Sequence, residues 1–532
     1  MFRDYDRVLI ISSWGLPKDY KKSRYFLEVI EDKKRVIIPR SREVIETYTS
    51  TAAIERILCK EQNVKDLIYL IFVQDTILLD DIIRDWSEYD HKQFSRNDLK
   101  SRLYKYLYNS NPDAAKEFNV NSPEQYKDIA IFIPGVITYA EGGKLYTWRG
   151  ERTHDVARGI MALEVYEKLR NLGGHRIAII LDTTHGINYL PLLLKEATLI
   201  AAELFTLENI ADIDELTIYH YNSDPLHHRV EGRPSLKIHL LDELHIARSG
   251  ELYIPRLTSL LMEVEDKGNL LETFWREIDW RRLLDASIFY SRGLFVWALR
   301  VAASEVNIVG IDQLKKSAED IKVEFSRKEN RFEINYKWKE KLPITYVILL
   351  SIFYNIMQKY AHDTIETQLN NIETYTRQIL SMLKGKCYLV KLSEIIDELS
   401  DHNKFVYFKL EKVIRYAKKL LAEPFKEINM HELQDNIAEY LEGNKISGWR
   451  NVLADPDLKV YANPGDTAYY LVLPDRASIV ISLKAYVDKR NIYAHAGLPY
   501  GLKWFAINLK QERKKLLCLE NIEYIRNIIT TE

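Results

Sequence analysis

Short apolar runs recur through the first 222 residues and alternate with segments of helical periodicity. Most of these runs are apolar along their whole length, which is typical of strands covered on both faces. They read RVLIIS (7–12), RVIIP (35–39), LIYLIFV (67–73), DIAIFIP (128–134), RIAIILD (176–182) and LTIYHYN (216–222). Helical patterns between them include REVIETYTSTAAIERIL and ARGIMALEVYEKLRNLGG. Strands in alternation with helices predict a doubly wound, mostly parallel α/β sheet over residues 1–222.

The pattern changes after residue 222. Residues 223–260 carry turn residues, two short β-like runs and no long helical period, which predicts a connector or β-ribbon. From residue 261 to 532 helical spacing dominates, as in DQLKKSAEDIKVEF, ITYVILLSIFYNIMQKYAHDTIETQL and NKFVYFKLEKVIRYAKKLLAEPF. We therefore expect an α/β domain over 1–222, a connector over 223–260 and an all-α domain over 261–532.

Composition and charge narrow the class of protein. Lys and Arg (75) nearly balance Asp and Glu (77), so any contact with nucleic acid must come from a local patch. The three cysteines have neither metal-ligand spacing nor a disulfide framework, which favours a reducing compartment. The start MFRDYDRVLIISSWG lacks the continuous apolar core of a signal peptide, and ITYVILLSIFYNIM is too short to span a bilayer comfortably. We expect a cytoplasmic protein without a membrane partner.

Residues 490–498, RNIYAHAGL, carry the first candidate for chemistry. On a helix, Asn491 lies one turn before His495 and can orient its ring by a hydrogen bond. An arginine and a histidine without carboxylates suit metal-free cleavage of RNA by its own 2′-hydroxyl. His495 would act as general acid or base, and Arg490 would stabilise the charge that develops at phosphorus. The alternative is a surface arginine beside a helix histidine that only packs.

Two polar loops that follow predicted strands are candidates for a ligand site. Open α/β sheets bind ligands beyond the carboxyl ends of their strands, and glycines let a backbone approach phosphate closely. The chain has no GxGxxG sequence and no Walker lysine, which argues against NAD binding and ATP hydrolysis. The candidate ligand-binding residues are Ser12, Ser13, Trp14 and Gly15 in the first loop, and Asp182, Thr183, Thr184, His185, Gly186 and Asn188 in the second.

Each loop also has a structural interpretation. The indole of Trp14 can stack on a base, or it can be a core residue at the end of a strand. Asp182 and Thr183 can hold a ligand or cap the next helix. FIPGVITYAEGG (132–143) follows another predicted strand, and either lines the same site or forms an ordinary surface loop. The histidines in or beside the connector favour a solvated ribbon over a zinc site, because no cysteine accompanies them.

These stretches resemble a known family at both ends of the chain. RNIYAH (490–495) is similar to the R-x4–6-H motif of HEPN ribonuclease domains. RIAIILDTTHGINYLP (176–191) resembles the ligand loop of the CARF domain, the Rossmann-like sensor of type III CRISPR systems, and VLIISSWGLP (8–17) resembles its companion loop. The combination resembles a CRISPR-associated CARF–HEPN ribonuclease. The middle of the chain, about 260 to 470, contributes only its helical character to this resemblance.

The resemblance implies a specific set of functional properties. A CARF domain over 1–222 would bind cyclic oligoadenylate as an activator, with cyclic tetra-adenylate the favoured ring. A HEPN domain over 261–532 would cut single-stranded RNA in a homodimer or a larger oligomer, with no metal or other cofactor required. Two further hypotheses stay open. One is a non-catalytic regulator that binds RNA or protein, and the other is a sensor domain that also degrades its own ligand.

Overall fold

The structure is a computed structural model, and it divides the chain into two compact units. One unit comprises Met1–Leu257 and Val309–Ile352, and the other comprises Thr258–Ile308 and Phe353–Glu532. The residues that the structure describes are 2–31, 34–39, 45–64, 67–150, 152–185, 189–209, 212–224, 233–248, 251–252, 257, 259–261, 280–291, 301–302, 311–337, 344–365, 459–462, 469–473, 477–481, 504–507 and 516–518.

The secondary structure of the described residues runs in the following order. The strands are β1 (Arg7–Trp14), β2 (Ser23–Glu31), β3 (Lys34–Ile38), β4 (Ile45–Thr47), β5 (Leu67–Gln74), β6 (Gln93–Ser95), β7 (Ala130–Ile133), β8 (Ile137–Glu141), β9 (Lys144–Arg149), β10 (Arg176–Asp182), β11 (Glu215–Ser223), β12 (Ser235–Arg248), β13 (Glu251–Leu252), β14 (Lys322–Lys328), β15 (Arg331–Lys337), β16 (Lys459–Ala462), β17 (Tyr469–Leu473), β18 (Ala477–Ile481), β19 (Trp504–Ile507) and β20 (Leu516–Cys518). The helices are α1 (Ser50–Glu61), α2 (Leu79–Arg84), α3 (Trp86–Tyr89), α4 (Arg96–Ser110), α5 (Pro112–Lys116), α6 (Thr153–Leu172), α7 (Leu190–Glu208), α8 (Trp280–Ser291), α9 (Ile311–Glu319) and α10 (Ile344–Ile365).

The first unit is built around a mixed sheet to which, among the described residues, ten strands contribute. Eight of them follow the order β3-β2-β12-β11-β10-β1-β5-β7. The central strands β11, β10, β1, β5 and β7 are parallel, whereas β12 is antiparallel to β11 and β3 is antiparallel to β2. The prediction of a Rossmann-like, mostly parallel α/β domain is confirmed for this core. All six predicted strands are present in this sheet, and β2, β4, β12 and β13 are additional.

The central strands are apolar throughout because both faces of the sheet are covered. Val8 and Ile10 of β1 pack in one buried cluster with Ile54 and Ile57 of α1. Alternate residues of a strand point to opposite faces, so Leu9 faces the other side of the sheet from Val8 and Ile10. Leu9 is also fully buried, which shows that this second face is covered too. Burial of each such side chain stabilises the fold by roughly 1.5–3 kcal/mol.

Part of the predicted connector belongs to this sheet. Ser235–Arg248 forms β12, which pairs with β11 on one side and with β2 on the other. The helix predicted for REVIETYTSTAAIERIL begins later than expected, because Ile45–Thr47 is a strand and α1 starts at Ser50. Its start is capped by Thr49, whose hydroxyl accepts from the Ala52 N–H at 3.1 Å.

A second sheet of the first unit joins distant parts of the chain. Its order is β6-β14-β15-β9-β8, with β15 parallel to β9. The expectation that residues 261–532 form an all-α domain does not hold at Lys322–Lys337, because β14 and β15 make an antiparallel hairpin there. Buried Val323 and Phe325 alternate with more exposed residues in β14, a period of two that favours a strand over a helix.

In the second unit, the all-α expectation is corrected again. Strands β16 to β20 form an antiparallel sheet in chain order. Helices are also present: α8 lies in this unit, and α10 confirms the predicted helix over ITYVILLSIFYNIM. The helix predicted over NKFVYFKLEKVIRYAKKLLAEPF (403–425) lies outside the described residues. Within the part of the chain that the structure describes, no helix has the length and apolar character needed to cross a membrane.

Gly159 of α6 provides a test of packing within the first unit. A Cβ atom placed on Gly159 would lie 3.2 Å from the Thr345 backbone, at the start of α10. The branched side chain of Gly159→Val would force the two helices apart, so we expect it to lower the free energy of unfolding by about 1–3 kcal/mol. Urea unfolding followed by tryptophan fluorescence measures this loss. Asn171→Ala, at an exposed position of the same helix, should change stability by less than about 0.5 kcal/mol.

Candidate functional site

The two predicted ligand loops lie side by side at the point where the strand order reverses. From β1 the sheet continues through β5 and β7 on one side, and from β10 it continues to β11 on the other. Strands β1 and β10 are parallel neighbours, and Ser12 is in register with Asp182. Such a reversal leaves a crevice beyond the carboxyl ends of the strands, which is the usual ligand position in open α/β sheets.

Asp182 is a buried hydrogen-bonding centre rather than an exposed ligand group. It is 0% exposed. Its Oδ2 atom accepts from the hydroxyls of Ser50 at 2.7 Å, Thr51 at 2.8 Å and Ser12 at 3.5 Å. Its Oδ1 atom accepts from the Thr184 N–H at 3.1 Å. A buried carboxylate needs such donors, so Asp182 ties the end of β1, the start of α1 and its own loop together.

The side chains at the end of β1 are buried as well. Trp14 is 1% exposed, packs on Phe118 with ring centroids 5.2 Å apart, and donates its indole N–H to Thr51 at 3.3 Å. The core interpretation of Trp14 therefore fits, and stacking of its indole on a ligand base does not. Ser12 and Ser13 are 0% exposed. Gly15 is also buried. The residues of the first loop are thus packed inside the domain, under the candidate site, and are not part of its accessible surface.

The second loop is anchored to β11. The Thr183 N–H and hydroxyl both donate to the Tyr221 carbonyl, at 3.1 and 3.0 Å. The Thr184 hydroxyl accepts from the Ser223 N–H at 3.1 Å. The ring of His220 lies 3.1 Å from the Thr183 hydroxyl, and burial lowers the pKa of His220 to about 4. Because His220 is neutral at pH 7, this contact is a hydrogen bond between uncharged groups.

His185 is hydrogen-bonded to the first residue of α1. Its Nε2 atom accepts from the Ser50 N–H at 2.9 Å, and its ring lies 4.7 Å from the ring of Tyr20. Burial lowers the pKa of His185, which favours the neutral ring that can accept this hydrogen bond. Thr184 and His185 retain some accessible surface, so they form the described part of the second loop that a ligand can reach.

Glu117 holds the segment before α1 in place. Both of its carboxylate oxygens accept from the Tyr48 N–H, at 3.1 and 3.0 Å, and the guanidinium of Arg56 lies 3.8 Å away. Burial raises the pKa of Glu117 to about 7. The segment that presents Ser50 and Thr51 to Asp182 is therefore fixed by a carboxyl group that titrates near neutrality.

Several residues of this arrangement were not predicted from the sequence. Ser50, Thr51, Tyr20 and Glu117 all contribute, yet none belongs to either predicted loop. The run TYTST (47–51) carries the signal that could have identified two of them, because a Thr or Ser cluster before a helix is typical of a cap. Nothing local in the sequence indicates that Glu117 contacts this segment.

The remaining predicted site residues lie outside the described residues. They are Gly186 and Asn188 of the second loop, and Arg490, Asn491 and His495 of the RNIYAH stretch.

The described histidines of the connector region each contact a nearby polar group. His239 Nε2 lies 2.8 Å from an Asp224 carboxylate oxygen, and His245 Nδ1 lies 3.0 Å from the Thr217 hydroxyl. Within the described parts of the chain, no three His, Cys, Asp or Glu side chains converge as a set of metal ligands would. Both histidines lie on β12 of the main sheet, and His227 and His228 lie outside the described residues.

An open parallel sheet with polar loops at its reversal point defines the class of Rossmann-like ligand-binding domains. Residues 9–225 match the family model described as CRISPR system endoribonuclease Csx1, CARF domain. Residues 9–225 thus form a CARF-type domain, and a domain of this type implies cyclic oligoadenylate sensing in type III CRISPR systems. No curated protein matches the chain.

Asp182→Asn tests whether this carboxylate holds the site together. The amide keeps the size of the side chain but replaces one acceptor oxygen with a donor that faces hydroxyl groups. We expect the free energy of unfolding to fall by about 1–3 kcal/mol, measured by urea denaturation. Asp128→Asn, at an exposed position, is the matched control and should be near neutral. Equal stability of the two variants would contradict the structural role of Asp182.

Glu117→Gln tests the pH dependence of the same region. The folded pKa of Glu117, about 7, lies above the ordinary value of 4.5, so the folded state binds more protons between these pH values. The contribution of Glu117 to stability is therefore largest below pH 4.5 and is lost as the pH rises through about 7. Relative to Glu117→Gln, the wild type should lose about 2–3 kcal/mol across this window. Urea unfolding at several pH values measures the difference, and a constant difference would contradict it.

Proposed function

We propose that the protein is an endoribonuclease that cyclic oligoadenylate switches on. The match of residues 9–225 to a CARF family is the observation that carries this proposal. That family is described as an endoribonuclease, and the RNIYAH stretch supplies residues suited to that chemistry. Cyclic tetra-adenylate is the activator that we expect.

The sensor half of the proposal is supported by the position of its loops. A ligand seated beyond the carboxyl ends of β1 and β10 would meet Thr184 and His185 directly. The buried contacts of Asp182 would transmit any movement of the second loop to α1, because Ser50 and Thr51 donate to its carboxylate. Gly186 and Asn188 are proposed to complete the ligand contacts. Ser12, Ser13, Trp14 and Gly15 would support the site without reaching the ligand.

The effector half rests on Arg490, Asn491 and His495. In the proposed reaction, the 2′-oxygen of the RNA attacks the adjacent phosphorus while a base removes its proton. The bond from phosphorus to the 5′-oxygen breaks, and an acid protonates the leaving oxygen. Arg490 stabilises the charge on the non-bridging oxygens with its planar fork, and Asn491 orients His495. The products are a 5′-hydroxyl and a 2′,3′-cyclic phosphate, or a 3′-phosphate once water has opened that ring, and no metal takes part.

A HEPN domain that contains the RNIYAH stretch would need two copies of this stretch. One chain offers a single His495, whereas the reaction uses both a base and an acid. We propose a homodimer in which the two RNIYAH stretches face each other across the symmetry axis. Binding of the ligand would favour the arrangement in which both copies meet the RNA, by a differential affinity of a few kcal/mol.

An RNA cleavage assay in EDTA, with and without cyclic tetra-adenylate or cyclic hexa-adenylate, tests the proposed function. Cleavage of a single-stranded RNA should require one of the rings and should leave 5′-hydroxyl ends. His495→Ala should reduce the activated rate by about 10²–10⁴-fold, because it removes the general acid or base. Arg490→Ala should reduce the rate by about 10²–10³-fold, because it removes the charge that stabilises the transition state.

Lys489→Ala is the matched control for Arg490→Ala, because it removes a cation from the neighbouring position of the same stretch. Its activated rate should stay within a few-fold of wild type. Full activity of His495→Ala or Arg490→Ala would exclude the proposed catalysis. Binding of a cyclic oligoadenylate without any RNA cleavage by the wild type would support the non-catalytic regulator instead.

A further inference from the structure

A buried ion pair lies at the same edge of the sheet as the candidate ligand site. Asp75 directly follows β5, the neighbour of β1, and is 1% exposed. Its Oδ2 atom accepts from the Arg96 Nε–H at 3.2 Å. The guanidinium of Arg96 also donates to the carbonyls of Phe132 at 2.6 Å and Ala318 at 3.1 Å. The charges of Asp75 and Arg96 are thus compensated by specific partners, which fixes the carboxylate in one place.

The other oxygen of Asp75 connects two distant segments. Its Oδ1 atom accepts from the Gly135 N–H at 3.0 Å and from the hydroxyl of Tyr336. The Gly135 N–H also lies 3.1 Å from the Tyr336 hydroxyl oxygen. Gly135 stands just after β7, whereas Tyr336 belongs to β15, far beyond residues 9–225. A residue outside the matched CARF region therefore binds the backbone at the carboxyl edge of the sheet.

The turn at 134–136 also contacts Tyr189, which follows the second ligand loop in the sequence. The Val136 N–H donates to the hydroxyl of Tyr189 at 3.0 Å. Tyr189 precedes the first residue of α7 and follows loop 182–188. The turn packs closely against Thr76, because a Cβ atom on Gly135 would lie 2.8 Å from the Thr76 hydroxyl. Contacts thus run without a break from Tyr336 through Asp75, Gly135 and Val136 to Tyr189, the residue before α7.

We propose that Tyr336 is a positioning residue for the ligand loop: its hydroxyl, with Asp75, fixes the 134–136 turn against which Tyr189 anchors that loop. This inference rests on the proposed function only in treating loop 182–188 as the ligand loop. Strand β15 then completes the CARF site. In the sequence, β15 comes after residues 258–308, which belong to the second unit. Because the two events are thermodynamically coupled, a ligand that binds this arrangement of the loop also stabilises the contact between Tyr336 and Asp75.

A purely structural role for Tyr336 makes a different prediction. Its ring packs beside Trp148 with centroids 6.1 Å apart, so the ring alone could account for its presence in the core. Tyr336→Phe keeps the ring and removes only the hydroxyl, which separates the two roles. Tyr146→Phe is the matched control, because Tyr146 is a buried tyrosine of the neighbouring strand β9 and stacks on Phe332.

Amide hydrogen exchange on the full-length protein without ligand tests the positioning role. In Tyr336→Phe, the amides of Gly135 and Val136 and the peptides covering 183–189 should exchange about tenfold faster than in wild type, the change expected for the loss of one buried hydrogen bond. In Tyr146→Phe, exchange at these positions should match wild type. Unchanged exchange in Tyr336→Phe, or faster exchange spread equally over the whole first unit, would overturn the proposal.

Binding of cyclic tetra-adenylate to the same variants, measured by calorimetry, links the positioning role to function. Tyr336→Phe should weaken the affinity by about tenfold, the equivalent of the lost hydrogen bond, while Tyr146→Phe should bind as wild type does. Wild-type affinity in Tyr336→Phe would overturn the proposal. Failure of the wild type to bind any cyclic oligoadenylate would instead remove the proposed function, and the exchange experiment would still decide the role of Tyr336.

Discussion

The parallel pairing of β1 with β10 is the constraint on which the candidate site depends. It places Ser12 beside Asp182, although 170 residues separate them in the chain. Because the sheet extends in opposite directions from these two strands, their carboxyl ends border a crevice. Both loops, the start of α1 and the turn after β7 meet at this edge. Any change that shifts β1 against β10 would therefore alter every group that a ligand could contact.

The candidate site has two parts: a buried, hydrogen-bonded part, which we call the frame, and a part with accessible surface, which we call the edge. Asp182 belongs to the frame, because a carboxylate withdrawn from water requires the hydroxyl donors of Ser50 and Thr51. Thr184 and His185 belong to the edge, since they keep some accessible surface. A ligand at this edge would contact few side chains directly but would act on a frame that is closely hydrogen-bonded. Such an arrangement suits a sensor, because small movements of the loop reach α1 without crossing a loosely packed region.

The first unit is not a contiguous stretch of the chain. Strands β14 and β15 return to it after residues 258–308 have left it, and Tyr336 brings a hydroxyl to the buried ion pair of Asp75 and Arg96. After Tyr336 the chain enters α10, whose residues from Phe353 onward belong to the second unit. The segment that carries Tyr336 is thus continuous in sequence with the other unit.

The sequence by itself determined the central parallel strands and the two loops that follow β1 and β10, because strands buried on both faces are apolar throughout. It predicted the region of β12 only as a connector or ribbon, and it did not reveal β2 or the β14–β15 hairpin. The hairpin strands alternate buried and more exposed residues and lack such runs. Only the tertiary structure decided that Trp14 is a core residue, that Glu117 contacts the segment before α1 and that Tyr336 contacts Asp75. Their partners lie up to 261 residues away, and no local pattern records a contact over that distance.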